Sequence, residues 1–314
     1  METKNIPLVV IAGPTAVGKT ALSIEIAKKF NGEIINGDSL QFYKGLDIGT
    51  AKIKEKEMDG VTHHLFDTLK PWDNYNASQF RDDAHPLIVD IFSRGKLPII
   101  VGGTGLYLEG LLYNLEFGYD SDDNQKVRQE LDKLAKEIGA QALWNILNEK
   151  DPQAADKIPF QNVRRTIRAL EVIEISGEKF SSQKAHKEKE SVYDECLIVL
   201  DRPRAQLYER INQRVYLMIE EGLEKEAFNL FEESKGQEWQ SVKGIGYKEW
   251  WPYFKGYLSK EEVINDIQQN SRRYAKRQLT WLRNRMKEPQ WIEITQEDEA
   301  IIKALCIVDR HLNK

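Results

Sequence analysis

Cysteine is almost missing from this chain of 314 residues. The two present, Cys196 and Cys306, show no C-x-x-C spacing, so neither a disulfide framework nor a zinc site is predicted and both read as buried thiols. Long apolar runs are missing too. Residues 97–101 and 197–200 are strand-sized, far short of the roughly 20 residues a membrane span needs, and no membrane association is expected. The polar residues 1–5 lead straight into a strand, which predicts no signal peptide and a cytoplasmic protein. An excess of charge is lacking as well: 45 Lys plus Arg stand against 50 Asp plus Glu, a formal net charge of -5, so no global field draws the chain to nucleic acid. The distribution reverses that reading. Residues 268–287 carry Arg272, Arg273, Lys276, Arg277, Arg283, Arg285 and Lys287 and no acidic residue, and local patches decide whether a phosphate backbone is held. Asp120, Asp122 and Asp123 cluster elsewhere and read as a solvated hinge. The adjacent His63 and His64 point in different directions with no third ligand spaced for zinc, so they are not read as a metal site.

What is there is 41% hydrophobic, enough for one large domain or two smaller ones. Residues 7–12 are apolar and β-branched and end at Gly13, a buried strand feeding a turn. Leu22, Ile26 and Phe30 place a helix over residues 20–30. A short strand at 33–36, a helix at 77–93 and a third strand at 97–101 follow. Strand, helix, strand, helix, strand predicts a parallel α/β sheet. Residues 119–193 show only helical periodicity, and sheet-building resumes at 196–200. The helical stretch is therefore read as an insertion with polar hinges at 118–124 and 176–191, dividing the core into 1–118 and 194–314. Helices fill 203–286, and 291–295 is a candidate last strand.

Gly13-Pro14-Thr15-Ala16-Val17-Gly18-Lys19-Thr20 matches G-x-x-x-x-G-K-[ST] between a predicted strand and a predicted helix. With average residue usage a chance match has a likelihood of about 1%, so the loop is read as a cradle for a di- or triphosphate. The glycines let successive N–H groups face phosphate oxygens, Lys19 adds a point charge, and Thr20 is the expected Mg²⁺ ligand. An N-K-x-D pattern after a strand is missing, which argues against a GTPase. A strand ending in Asp-Glu is missing too, which argues against a motor ATPase. A small-molecule kinase, sharing the loop and a carboxylate on the second strand, remains the alternative, as does an RNA-binding ATPase.

That carboxylate is Asp38. Ligands of an open parallel sheet sit beyond the carboxyl ends of its strands, so Asp38 belongs beside the phosphate loop as a magnesium neighbour or a general base, unless it only caps the following turn. Thr104, between Gly103 and Gly105 at another strand end, is either open to a ligand or an N-cap for residues 106–112.

The phosphate loop, Asp38-Ser39-x-Gln41-x-Tyr43, Asp47-Ile48-Gly49-Thr50-Ala51-Lys52, Gly102-Gly103-Thr104-Gly105-Leu106-Tyr107 and Ala275-Lys276-Arg277-Gln278-Leu279-Thr280-Trp281 together resemble the tRNA dimethylallyltransferase family of bacteria over about residues 7 to 285. The resemblance implies a P-loop-like parallel core with a helical insertion. It also implies Mg²⁺-dependent transfer of a dimethylallyl group from dimethylallyl diphosphate to N6 of the adenosine just 3′ of the anticodon. By the same resemblance residues 15–20 contact the diphosphate, with Arg214 a lesser candidate. Asp38, Ser39, Leu40 and Gln41 touch the target base, and Thr104 and Arg128 contact the tRNA. Arg164, Arg165 and Arg168 do so as well, although the His-Pro-Asn-Asp often found just before them in the family is Pro159-Phe160-Gln161-Asn162 here. Lys243, Gly246 and Lys248 belong to a loop similar to one near the RNA. Tyr274, Gln278, Trp281 and Arg285 form one stripe at helical spacing that, with Arg277, suits stacking and phosphate contact, unless Tyr274 and Trp281 are core aromatics and the charges only solvated; Arg277, Gln278 and Trp281 are the expected tRNA contacts. Asp38, Lys19 and Thr104 are the expected catalytic residues, the anticodon stem-loop the partner, and a monomer the expected state. The family's eukaryotic members append a Cys/His zinc finger, which Cys306 alone cannot build.

Overall fold

A computed structural model describes residues 3–115, 122–182 and 190–314. The chain divides into two compact units, Met1–Leu115 with Glu190–Lys314, and Glu116–Lys189.

The first unit is built on β1 (Pro7–Ala12), α1 (Lys19–Lys29), β2 (Gly32–Asn36), β3 (His63–His64), α2 (Ala77–Ser93), β4 (Leu97–Gly102) and α3 (Gly105–Leu112). The second unit, described by itself, holds α4 (Asp122–Ile138), α5 (Ala140–Lys150), α6 (Pro152–Asp156) and α7 (Val163–Ser176). The first unit then resumes with β5 (Asp194–Asp201), α8 (Arg204–Glu221), α9 (Leu223–Ser234), α10 (Trp250–Phe254), α11 (Lys260–Arg285), β6 (Gln290–Glu293) and α12 (Glu297–Leu312). The six strands form one parallel sheet in the order β3-β2-β4-β1-β5-β6. This is the α/β core with a phosphate loop between β1 and α1 that the sequence predicts.

The β1 run Leu-Val-Val-Ile-Ala is fully buried, as a central parallel strand covered on both faces must be. On one face Val9, Ile11, Ile34, Ile99 and Ile198 pack with Leu22 and Ile26 of α1 and Ala304 and Val308 of α12. A separate cluster joins Tyr43 and Leu46 to Val215, Leu230, Tyr247, Trp250 and Ile267, so α8 to α11 pack beside the carboxyl edge of the sheet. Helix starts follow side-chain chemistry: Asn76 with Gln79, and Ser259 with Glu262, form capping boxes that satisfy otherwise orphaned amides.

The edge strand β3 departs from the sequence reading. Its two histidines pair with Ile34 and Ile35; His64 Nε2 lies 2.7 Å from the buried Glu33 carboxylate, and His63 Nδ1 lies 2.8 Å from the Val61 carbonyl. Two residues are too few to show a period. Cys196 is buried as expected but Cys306 is exposed, because α12 turns that position away from the sheet. Residues 122–124, read as hinge, are the start of α4; acidic residues are favoured in a first helical turn, so polarity alone does not mark a hinge. Residues 118–121, with Asp120, and 183–189 of the second expected hinge lie outside the described residues. No described helix is long and apolar enough to cross a membrane.

Candidate active site

Residues 13–18 join β1 to α1 with φ of 152° at Gly13, 63° at Ala16 and 113° at Gly18, the left-handed values that turn consecutive amides to one side. Lys19 Nζ donates to the Gly13 and Pro14 carbonyls at 3.0 and 2.9 Å. Burial lowers its pKa from 10.5 to about 8, against an opposing pull from Asp38 and with a further push from Arg214. Arg214, on α8, donates to Thr15 Oγ1 at 3.2 Å and to the Thr50 carbonyl at 3.4 Å, and burial lowers its pKa too, with Asp38 opposing. Two poorly hydrated cations facing one carboxylate leave an excess of positive charge, which an anion relieves.

These groups line a cleft of about 760 Å³. One wall is the face of α8 that presents Arg210, Gln213, Arg214, Leu217, Met218 and Glu221, a spacing of three and four residues that keeps them on one side of a helix. The facing wall is the segment from Asp47 to Lys54, and the floor is the phosphate loop with Asp38 and Gln41. Thr20 lies at the start of α1 and is exposed toward the same cleft.

Asp38 both shapes a turn and faces the cleft. Its Oδ1 accepts from the Leu40 amide at 3.1 Å, and a carboxylate with about four acceptor sites keeps capacity for an incoming proton. Asn36 fixes its position: Oδ1 accepts from the Asp38 amide at 2.9 Å, and Nδ2 donates to the Asp38 and Leu65 carbonyls at 3.2 and 3.0 Å. Thr104 occupies the N-cap of α3, but its side chain makes no capping bond. Its hydroxyl instead accepts from the Ser39 amide at 3.1 Å and bonds the Tyr274 hydroxyl. Burial raises the pKa of Tyr274, helped by the nearby Asp38 charge, so this phenol stays protonated beside the carboxylate.

Gln278 of α11 is 5% exposed. It accepts from the Thr15 amide at 2.9 Å and donates to the Gly103 carbonyl at 3.0 Å, so it clasps the phosphate loop to the end of β4. A Cβ on Gly103 would sit 2.1 Å from its Nε2. Trp281 lies across Gly105, where a Cβ would come within 2.3 Å of its ring, and Arg285 stands 5.4 Å over that ring. Arg273, Lys276 and Arg277 are exposed on the same helix. Together with Trp281 they line a shallow basic groove.

Sequence reasoning missed the group that holds the cleft's second wall. Glu226 of α9 accepts from the amides of Asp47, Ile48 and Gly49 at 2.9 Å each and from the Tyr247 hydroxyl at 2.7 Å. Lys52 pins the segment's far end: its buried Nζ donates to the Tyr43 carbonyl, Asp47 and Asp67 at 2.7, 2.6 and 2.6 Å. Gln41 donates to the Thr50 carbonyl at 3.0 Å. Glu226 lies 179 residues from Asp47 and carries no local signal. Asn36 had one, since an Asn two residues before a turn residue commonly bonds the backbone there.

The remaining expected residues are placed without being gathered here. Lys243 is exposed and pairs with Glu238 at 3.0 Å; Lys248 lies 3.9 Å from Glu249. Gly246, at φ 96°, donates its amide to the buried Glu249 at 2.9 Å. Leu40 packs under Gly244, where a Cβ would come within 2.8 Å. In the second unit Arg164 and Arg165 are exposed. Arg168 donates to the buried Glu171 at 2.8 Å, and Arg128 lies 4.0 Å from the same carboxylate. Asn162, the last residue of the departing segment, caps α7 by accepting from the Arg165 amide.

The IPP transferase family model matches residues 41–285, and the isopentenyl transferase model residues 6–70. The chain belongs to the IPP transferase family. The tRNA dimethylallyltransferase of Enterococcus faecalis is 49% identical over 290 residues, covering 92% of each chain. That of Bacillus cytotoxicus is 47% identical over 298 residues, covering 95% of this chain and 93% of the relative. Among solved structures of the family, the full-length tRNA isopentenylpyrophosphate transferase of Bacillus halodurans superposes with a TM-score of 0.74 at 44% identity, covering 98% and 97% of the two chains. A eukaryotic dimethylallyltransferase acting on tRNA superposes with a TM-score of 0.82 at 28% identity, covering 98% of this chain and 79% of the other. Family membership does not favour the kinase alternative.

Proposed function

We propose that this chain is a cytoplasmic tRNA dimethylallyltransferase that moves the dimethylallyl group of dimethylallyl diphosphate to N6 of the adenosine 3′-adjacent to the anticodon. The carrying observation is one cleft in which the phosphate loop, Lys19 and Arg214 stand next to the Asp38 carboxylate. The loop amides, Lys19 and Arg214 receive the diphosphate, and their charge stabilises it as the C1–O bond breaks and the electron pair leaves with oxygen. The N6 lone pair forms the new bond to C1, and Asp38 takes the proton that N6 sheds. Thr104, held by Ser39 and Tyr274 at the rim of Asp38, orients the incoming base with Ser39, Leu40 and Gln41. One chain supplies every one of these groups, consistent with a monomer.

A divalent ion fits this donor set. The described residues hold no cluster of three or more acidic, His or Cys side chains that would cage a metal, whereas Mg²⁺ is commonly held by one or two protein oxygens plus phosphates and water. Thr20 would hold it, and bound Mg²⁺ would supply further neutralisation of the diphosphate charge. For the RNA, Arg277 and Trp281 beside the buried Gln278 clasp offer phosphate contact and stacking. The same role is assigned to Lys243, Gly246 and Lys248 and, in the second unit, to Arg128, Arg164, Arg165 and Arg168.

Incubation of an anticodon stem-loop with either labelled dimethylallyl diphosphate or γ-labelled ATP tests the reading. Label retained on RNA from the prenyl donor alone is expected. Phosphoryl transfer to an alcohol instead would establish the kinase alternative.

A further inference from the structure

At the Ala16 and Val17 carbonyls of the phosphate loop, two arginines converge on one carboxylate. Arg202, just after β5 and 7% exposed, donates Nε to the Val17 carbonyl at 2.9 Å. Arg210 of α8 donates Nε to the Ala16 carbonyl at 3.1 Å. Both guanidinium groups pair with Glu297 in the first turn of α12, Arg202 in direct hydrogen-bond contact and Arg210 at 3.7 Å. Gly18 borders this group: a Cβ there would lie in ordinary contact with Arg202 Nη2 at 3.5 Å and Glu297 Oε2 at 3.7 Å.

We propose that Glu297, acting through Arg202 and Arg210, is a positioning device that holds the phosphate loop in its anion-accepting curvature. Ala16 sits at φ 63°, a conformation unfavourable for a residue with a Cβ that persists only where surroundings enforce it. Fixing the Ala16 and Val17 carbonyls outward fixes which way the neighbouring amides face, and preorganised donors are the ones that stabilise developing charge. A carboxylate between two guanidinium groups also holds those cations on the loop carbonyls. Without it they would be drawn to the diphosphate and release the carbonyls. The C-terminal helix thereby takes part in binding a ligand that it does not itself touch.

The inference rests on the diphosphate reading above, and pyrophosphate binding separates the two. Calorimetric titration of the full chain with inorganic pyrophosphate in Mg²⁺ buffer should show binding for the wild type. Glu297→Gln, a half-exposed isosteric change, should weaken it roughly 10-fold, the lower end of the loss typical when groups orienting a ligand set are removed. The KM for the prenyl donor should rise in parallel while affinity for the anticodon stem-loop is unchanged. Val308→Ala loosens the buried packing of α12 without reaching the loop, and should lower the melting temperature and leave pyrophosphate affinity intact. Wild-type affinity in Glu297→Gln, an equal loss of RNA affinity, or an equal pyrophosphate loss in Val308→Ala each overturns the positioning role. A wild type that fails to bind pyrophosphate overturns the diphosphate reading itself.

Discussion

In the proposed reaction Lys19 and Asp38 carry the chemistry, and each can be isolated by one substitution. Replacing Lys19 by Ala removes a preorganised donor and should lower kcat by 10²- to 10³-fold, about 3 to 4 kcal/mol in barrier, measured under single turnover. Because burial holds the Lys19 pKa at about 8, the ammonium that anions need is fully present well below that pH and lost above it. Pyrophosphate affinity should therefore be flat below pH 8 and fall above it, with proton uptake on binding visible as a buffer-dependent heat. Asp38→Asn keeps an acceptor for the Leu40 amide and so keeps the turn, but removes the base. Its expected cost is roughly 10² to 10⁴ in rate, with pyrophosphate affinity undiminished.

At the level of elements, the wall formed by residues 47–54 depends on a partner from α9. Glu226→Ala leaves three backbone amides and the Tyr247 hydroxyl without their acceptor. A cost of about 3 kcal/mol is expected, since unsatisfied buried donors cost 1 to 3 kcal/mol each and water reaches part of this site; denaturant titration reads it. What was legible in the sequence followed from locality. The phosphate loop is one contiguous turn whose glycines and lysine announce their geometry, and residues 77–93 carry a clear stripe in Phe80, Leu87, Ile88 and Ile91, so that helix was legible to the residue. Strand β3 was not, because two histidines show no alternation. The Glu226 lock, the Gln278 clasp and the Glu297 brace were illegible for a common reason: each joins segments more than 90 residues apart, namely 178, 263 and 95 in the bonds to Ile48, Thr15 and Arg202, and no local pattern encodes such a meeting. Asp38 shows both sides, since its capping bond and its place in the cleft coexist.

For the molecule as a whole, a negative net charge coexists with a basic helix, and the two predict different salt responses. RNA binding through α11 should weaken with salt by a log–log slope of about -0.7 per phosphate contact on a single strand. Lys276→Glu should reduce that slope by about one contact without altering pyrophosphate affinity. Fold stability should be governed elsewhere by charge: hydrogen bonds from Arg94 first, then Lys96 and His64, hold the buried Glu33 carboxyl well below its usual range against the cost of burial. A depressed carboxyl pKa contributes stability that is present above the ordinary value near 4.5 and lost as pH falls toward the lowered one. Glu33→Gln should therefore flatten the acid limb of a stability–pH curve. The central claim is that the loop grips a departing diphosphate while Asp38 receives the proton of the attacking amine. Its most direct test is a crystal structure with an anticodon stem-loop and an unreactive thio-analogue of dimethylallyl diphosphate. The account predicts the diphosphate within residues 13–20 and an Asp38 oxygen about 2.6 to 3.2 Å from adenine N6. A diphosphate seated elsewhere, or an N6 facing a different base, would contradict it.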